Sequence, residues 1–463
     1  MRFNSYTTIK ERIGWQPLFG LGLAAAFIIG WLIWNNWSRA PLLALVLLGG
    51  ICVLFILRYP QLGLWSCAFL ITALPTLMLW QVPTAILFVI VCTLLFRKFF
   101  LGDLNWRITA FLVWSSFLFL WWLVTIIWTP TYDYWRFAFN FYPFLIMIVF
   151  SDMVRSREDF FRVLIAIALG MLFTAATVAY SMLTAATTGL SNMAGAVIGK
   201  EEARFFGLWN NSNAMAYSLM PFIALMVISM RIPYRRVYRV IFGVAALTGF
   251  VCIMLSLTRG AILCTMLMLI VFLSTMKSRW YLLSAATVAV VAAIMVVPSS
   301  LVNRVSSLGH GMGDASVGER SLLLSAGWEM AEKSFPFGQG IGTSIAFSAD
   351  HVTHLMANLQ LHNSYIDTIV ETGLVGTILL CGMIFSLFIA VKRHANSLVL
   401  DSDSENVRIA FRAGLIAVLI GMMFEDVIGF PAYWLFFTLL SIHPFLRDRN
   451  QSVCGAETNP KSN

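Results

Sequence analysis

Four arginines stand beside Gly, Asn or Ser near the ends of apolar runs: Arg204 in Ala-Arg-Phe-Phe-Gly-Leu, Arg259 in Ser-Leu-Thr-Arg-Gly-Ala, Arg304, and Arg320 in Gly-Glu-Arg-Ser. One reading of each is an interfacial anchor that snorkels toward lipid headgroups. Arg259 resists that reading best. It occupies a short turn between two long apolar runs, where a guanidinium would answer a local anion. Arg204 and Arg320 could converge on it, and several arginines around one point would clamp a diphosphate, because the planar fork pairs bidentately with phosphate oxygens.

The second chemistry-bearing stretch runs Leu-His-Asn-Ser-Tyr-Ile-Asp-Thr-Ile-Val-Glu-Thr-Gly-Leu-Val-Gly-Thr from Leu361 to Thr377. Asn363 and Ser364 are placed to cap the helix that follows. A helix N-terminus disfavours the imidazolium, and a neutral imidazole suits a general base, so His362 is either a base or a contributor to the cap. Asp367 and Glu371 lie four apart on one helical face. In hydrocarbon such carboxylates need a partner or a wet cavity, and they would pair with an arginine or orient His362. Asp350, His351 and His354 can be drawn as a metal site, but His-x-x-His in a polar loop is weak evidence. His310 sits in a Gly-rich stretch, and His394 and His443 fall on the other side of the membrane. No phosphate-binding Gly loop with a trailing Lys, Asp-x-Asp pair in an outer loop or Gly-x-Ser-x-Gly elbow is present. The seven cysteines stand singly and read as small core residues. No metal and no cofactor is expected.

The elements that hold these residues must be membrane helices. Of 463 residues, 59% are hydrophobic and 11% charged, against roughly 25% charged in soluble domains, which excludes a soluble enzyme, a DNA-binding domain and a disulfide-stapled secreted module. Apolar runs bounded by charge or Pro fall near 18–34, 42–57, 62–80, 84–96, 108–128, 137–150, 161–182, 214–230, 240–257, 261–276, 281–297, 365–390, 409–424 and 433–445. The early runs are short and closely joined, so 12 to 14 transmembrane helices are expected in one integral membrane domain over 1–463. The N-terminal stretch lacks the pattern of a cleaved signal peptide. No repeat and no matching halves stand out.

With the N-terminus inside, 23 of the 31 Lys and Arg fall on the cytoplasmic side, as the positive-inside rule demands. The net charge of +9 therefore reflects topology, and no nucleic-acid partner is expected. Both termini are placed in the cytoplasm. Two outer segments are long, 183–212 and 298–362, and loops of this length tend to carry function. Within the second, residues 320–335 carry an amphipathic helical pattern, with Leu323, Leu324, Trp328 and Ala331 near one face, which predicts a helix lying on the membrane surface.

These residues resemble the O-antigen ligase family, which also includes O-antigen polymerases and bacterial O-linked protein oligosaccharyltransferases. Its Arg-x-x-x-Leu element is matched by Arg204 to Leu208. Its His-[Asn/Ser/Gln]-x9-Gly-x-x-Gly-[Ser/Thr] element is matched by His362, Asn363, Gly373, Gly376 and Thr377. The stretches at 207–213, at Ser-Leu-Thr-Arg-Gly around Arg259, and from Arg320 to Gly340 are also similar. The resemblance implies an all-α polytopic, GT-C-like glycosyltransferase of the bacterial inner membrane with a periplasmic active site. It would move O-antigen polysaccharide from undecaprenyl diphosphate to lipid A core, amid membrane lipids and without metal. His362 would then be the base, Arg204, Arg259 and Arg320 the diphosphate ligands, and Asn363, Asp367, Glu371, Gly373 and Gly376 their support.

Rivals are a polymerase with a lipid-linked acceptor, a protein O-oligosaccharyltransferase, which usually has a larger outer region, and a transporter. A transporter would place charge near the midplane and show matching halves. The topology makes a direct prediction. Cysteine introduced at Ser316 should react with an impermeant thiol reagent in intact spheroplasts, and labelling confined to lysed cells would contradict it.

Overall fold

The computed structural model describes residues 56, 58–73, 81–100, 107–130, 134–188, 196–198, 203–209, 211–231, 236–275, 315–346, 360–395 and 402–446. The expected spans near 18–34 and 281–297, the metal reading at 350–354, Arg304 and His310 lie outside them. Residues Met1–Pro60 and Gln61–Asn463 form two compact units, and the account below concerns the second.

The second unit is mostly helical. Its described helices are α1 (Pro60–Ala73), α2 (Gln81–Phe100), α3 (Ala110–Thr125), α4 (Tyr134–Met153), α5 (Arg157–Thr188), α6 (Ser212–Ser229), α7 (Arg236–Leu255), α8 (Arg259–Thr275), α9 (Ala315–Ser334), the single turn α10 (Thr343–Ala346), α11 (Ser364–Ala395), α12 (Ser402–Gly421) and α13 (Pro431–Ile442). Between α5 and α6 a hairpin joins β1 (Ala196–Ile198) to β2 (Ala203–Phe205), with Val197 opposite Arg204. Among the described residues, five stretches are long and apolar enough to cross a membrane: Ala110–Trp128, Arg157–Thr184, Ser212–Ser229, Arg236–Leu255 and Ser364–Lys392. Their positions follow the apolar runs, because an apolar helix satisfies its own backbone hydrogen bonds where water is absent.

Helix α6 is the centre. It is apolar on every face and almost wholly buried, as a helix without a polar side must be. It packs against α7, α8, α12 and α13. Small residues allow close approaches around it: a Cβ on Gly249 of α7 would meet Ile223 of α6 at 3.1 Å, and one on Gly414 of α12 would meet the Pro221 carbonyl at 3.3 Å. Such small-residue contacts replace the hydrophobic drive that lipid removes.

Helix α11 is broken at Gly373, where φ is 65° and ψ −156°. The break frees backbone groups that hydrocarbon cannot solvate, and the 336–340 turn takes them up. Gln339 N donates to Val370 O at 2.7 Å, Gly340 N to Glu371 O at 2.9 Å, and Leu374 N to Pro336 O at 2.8 Å. From α3, Trp121 Nε1 donates to Thr372 O at 2.8 Å, and beyond its end Trp128 Nε1 reaches Gly338 O at 3.1 Å. The Gly-rich run after Phe335 and the Gly373 element are thus two halves of one joint.

Helix α9 corrects the expectation that Leu323, Leu324, Trp328 and Ala331 share one apolar face. Leu323, Met330 and Ala331 pack instead on Leu361, Ile366 and Val370 at the start of α11, while Leu324 and Trp328 are 39% and 50% exposed. Residues 322–324 are all leucine, so periodicity alone did not say which of them faces inward. Of the expected 298–362 outer segment, 298–314 and 347–359 lie outside the described residues; its described part is α9, the 335–342 turns, α10 and 360–362.

The joint can be tested at Gly373. Alanine there meets a backbone region essentially closed to side chains, costing about 1–3 kcal/mol, and its Cβ would sit 2.1 Å from Pro336 O. Gly373→Ala should lower the thermal midpoint of the detergent-solubilised protein by several degrees; an unchanged midpoint would show that the joint can open without loss.

Candidate functional site

His362 sits just before α11 in a left-handed conformation, φ 54°, a strained setting for a residue with a side chain. The next residue explains how the helix starts. Asn363 Oδ1 accepts from Tyr365 N at 3.1 Å and Ile366 N at 3.2 Å, an N-cap arrangement. Ser364, the other expected cap residue, does something else. Its N–H donates to Met422 O, its hydroxyl donates to Glu425 O at 2.9 Å, and that hydroxyl accepts from Val427 N at 2.9 Å. Three bonds therefore fasten the His362 turn to the loop after α12.

That docking brings His362 Nδ1 to 3.0 Å from Glu425 Oε1. Glu425 is 3% exposed, and a carboxylate so deep in an apolar bundle needs a partner for its oxygens. Its other oxygen, Oε2, accepts from Asn213 Nδ2 at 3.0 Å, and Asn213 Oδ1 accepts from Thr258 Oγ1 at 3.0 Å. Because an ionised carboxylate can only accept, the directions of this chain follow. Nδ1 of His362 therefore donates to Glu425, and in the neutral imidazole that tautomer puts the lone pair on Nε2. The expectation that Asp367 or Glu371 orients His362 is corrected: the partner is Glu425. Asp367 is buried in the first turn of α11, and Glu371 Oε1 accepts from Ser344 Oγ at 2.8 Å.

The arginines arrive by three routes. Arg204 lies on β2, and the chain after it is pinned to α5. Trp209, 1% exposed, donates from Nε1 to Thr174 Oγ1 at 3.0 Å, and Thr174 in turn donates to Thr72 O. Gly207, with φ 55°, lies where a Cβ would strike Thr177 Oγ1 at 2.4 Å. Arg259 is the first residue of α8, immediately after Thr258 and close to Leu257, which is also left-handed at φ 54°. Arg320 is carried by α9 and is exposed. Partial burial and then the charges of Arg259 and Arg320 push the Arg204 guanidinium below its ordinary pKa. All three positive charges thus act on one region.

The elements ending there are the starts of α6, α8 and α11, the far ends of α3, α5 and α12, and the start of α13. The opposite end of the bundle carries a different charged group. Lys98 pairs with Asp152 at 2.9 Å with both side chains at most 5% exposed, and Asp152 also pairs with Arg155 at 3.1 Å. His443, at that same end, packs between Phe160 and Phe411. The candidate site is therefore confined to one end of the molecule. Gly373 and Gly376 take no position beside His362; Gly373 forms the α11 joint, one turn above Ile366 and Val370, and Gly376 packs within α11 against Thr372.

The sequence singled out His362 and the arginines as candidates and assigned no role to Glu425, Asn213 or Thr258, which the structure joins to His362. A signal for Glu425 existed: the acidic pair Glu425-Asp426 follows a long apolar run on the side where His362 was placed.

The arrangement offers an imidazole with a fixed acceptor nitrogen and a cluster of guanidinium groups at the same membrane-helix ends, which suits proton removal beside a site where negative charge develops. A search of the curated proteins returns no match. Residues 244–381 match the family described as O-antigen ligase. The matched stretch contains Arg259, Arg320, His362, Gly373 and Gly376, with Arg204, Asn213 and Glu425 outside it. Within residues 244–381 the chain is therefore similar to the O-antigen ligase family.

Proposed function

We propose that the chain is an inverting glycosyltransferase that transfers O-antigen polysaccharide from undecaprenyl diphosphate to lipid A core at the periplasmic face of the bacterial inner membrane, within a GT-C-like arrangement of 12 to 14 spans. The observation that carries this reading is the His362–Glu425 bond, made to a buried carboxylate, at the end of the bundle where Arg204 feels the charges of Arg259 and Arg320. Breaking the anomeric C–O bond leaves negative charge on a diphosphate, and the three guanidiniums would stabilise that charge as it develops. His362 Nε2 would take the proton from the acceptor hydroxyl. Glu425 would hold the ring in the required tautomer and stabilise the imidazolium that forms, and attack opposite the leaving diphosphate inverts the anomeric centre.

The chemistry needs no nucleotide and assigns no metal ligand. A polymerase differs only in its acceptor, so a reconstitution decides between them. Purified protein in liposomes would receive undecaprenyl-diphosphate glycan together with either lipid A core or a second lipid-linked glycan. Glycan-capped lipid A core is the expected product; lengthened lipid-linked glycan would replace the ligase reading with the polymerase one.

In that assay a positioned base is worth roughly 10²- to 10⁴-fold. His362→Ala and His362→Gln should both fall into that range while still binding the lipid-linked donor, since glutamine keeps a hydrogen-bonding side chain but cannot take the proton at neutral pH. A glutamine variant with a large share of wild-type turnover would remove His362 from the base role.

Arg259→Lys keeps the charge but not the fork. It should retain membrane abundance and lose most transfer; wild-type turnover would return Arg259 to the status of a headgroup anchor.

A further inference from the structure

The hydrogen-bonded path from His362 does not stop at Glu425. Three helix ends contribute to it: the start of α11 through His362, the start of α6 through Asn213, and the start of α8 through Thr258, with the loop after α12 supplying Glu425 between them. The orientation of the Asn213 amide is set by Glu425. Its Nδ2 must face the carboxylate, which offers no proton when ionised, and its Oδ1 then faces Thr258, whose hydroxyl donates to it. A reversed amide would set oxygen against oxygen at the Glu425 end.

We propose that Asn213 and Thr258 are positioning residues of the transfer site, acting through Glu425 to hold the His362 ring while tying it to the backbone that carries Arg259. The observation behind this is the continuous path His362–Glu425–Asn213–Thr258, whose last member is bonded directly to Arg259 in sequence. Thr258 is 6% exposed and Glu425 3%, so water is poorly placed to substitute for either partner. The N-cap of α6 fixes Asn213 from the other side, because Asn211 Oδ1 accepts from Asn213 N at 2.8 Å and Ala214 N at 3.3 Å. The left-handed residue Leu257 and the bond from Thr258 N to Ser256 Oγ at 3.2 Å set the Thr258 turn. The path thus acts as a spacer between the proton-accepting nitrogen and one diphosphate-binding arginine. A change in it alters the geometry between base and leaving group without removing either.

This inference rests on the glycosyltransferase reading and deepens it. The path should act on the chemical step rather than on donor capture. In the reconstituted assay, Thr258→Val, which keeps the shape and loses the hydroxyl, should lower kcat about 10- to 100-fold with KM for the lipid-linked donor within about twofold. Thr258→Ser should restore most of the turnover. Asn213→Asp places an acceptor where the donor to Glu425 stood and should lower kcat at least as far. Membrane abundance and elution of the detergent-solubilised variants are measured alongside, so that a folding defect in the Asp variant is separated by the valine and serine pair.

The decisive arm is a double-variant cycle. If Thr258 acts through Glu425, then in a Glu425→Gln background Thr258→Val should add less than about a twofold loss. Losses that multiply in the double variant, a valine variant at wild-type kcat, a serine variant no better than valine, or parallel changes in kcat and KM would each overturn the inference. Wild-type protein that transfers glycan while the losses multiply overturns this inference alone; a wild-type chain that transfers none overturns the glycosyltransferase reading with it.

Discussion

A carboxylate buried at the end of a membrane-helix bundle sets the terms for everything around it. Glu425 is 3% exposed, and removing an ionised group from water costs several kcal/mol unless its lone pairs are matched. The matching is divided among separate segments: an imidazole from the turn before α11, an amide from α6, and behind the amide a hydroxyl from the turn before α8. None of these segments can shift alone without leaving a buried polar group without its bond. The carboxylate therefore fixes the relative placement of the helix starts that carry His362 and Arg259, and does so more stringently than apolar packing, which tolerates sliding.

A second constraint fixes the remaining charge. A membrane helix interrupted at Gly373 must find partners for its exposed carbonyls, and the 336–340 turn supplies them through its backbone amides. That turn follows directly from α9, so closing the gap in α11 also anchors the helix bearing Arg320. Leu323, Met330 and Ala331 then seal α9 onto Leu361, Ile366 and Val370, the residues on either side of His362. One joint thereby brings an arginine and the proposed base to the same end of the bundle. In a transfer reaction this has a clear use: the positive charge is gathered before substrate arrives, so little reorganisation is needed as the leaving diphosphate gains charge.

Arg204 completes the cluster by a different mechanism. It is held from behind by Trp209 and Gly207 on α5, and partial burial together with two neighbouring cations lowers its affinity for its proton. Like charges collected in this way repel, and a structure maintains such a cluster at a cost to stability. The opposite end of the bundle shows the contrasting solution, where Lys98 and Arg155 share the Asp152 carboxylate. The two ends thus differ in kind: at one a buried lysine is closed onto a carboxylate, and at the other Arg204 feels the charges of two further arginines.

The sequence by itself determined where the five span-length apolar helices of the described residues lie and the cap at Asn363, and it supplied the short list of candidates for chemistry, His362, Arg204, Arg259 and Arg320. These are local properties: apolar length, a side chain two or three residues from the amides it caps, and residue types rare at span ends. Only the tertiary structure decided that Glu425 faces His362 while Asp367 and Glu371 do not take that place, that Asn213 and Thr258 continue the path, and that Leu323 and Leu324 part company on α9. His362 and Glu425 are separated by 63 residues. Which helix ends meet across such a separation depends on how all the intervening segments pack, and a helical period, which orders neighbours three or four residues apart, carries no information about it.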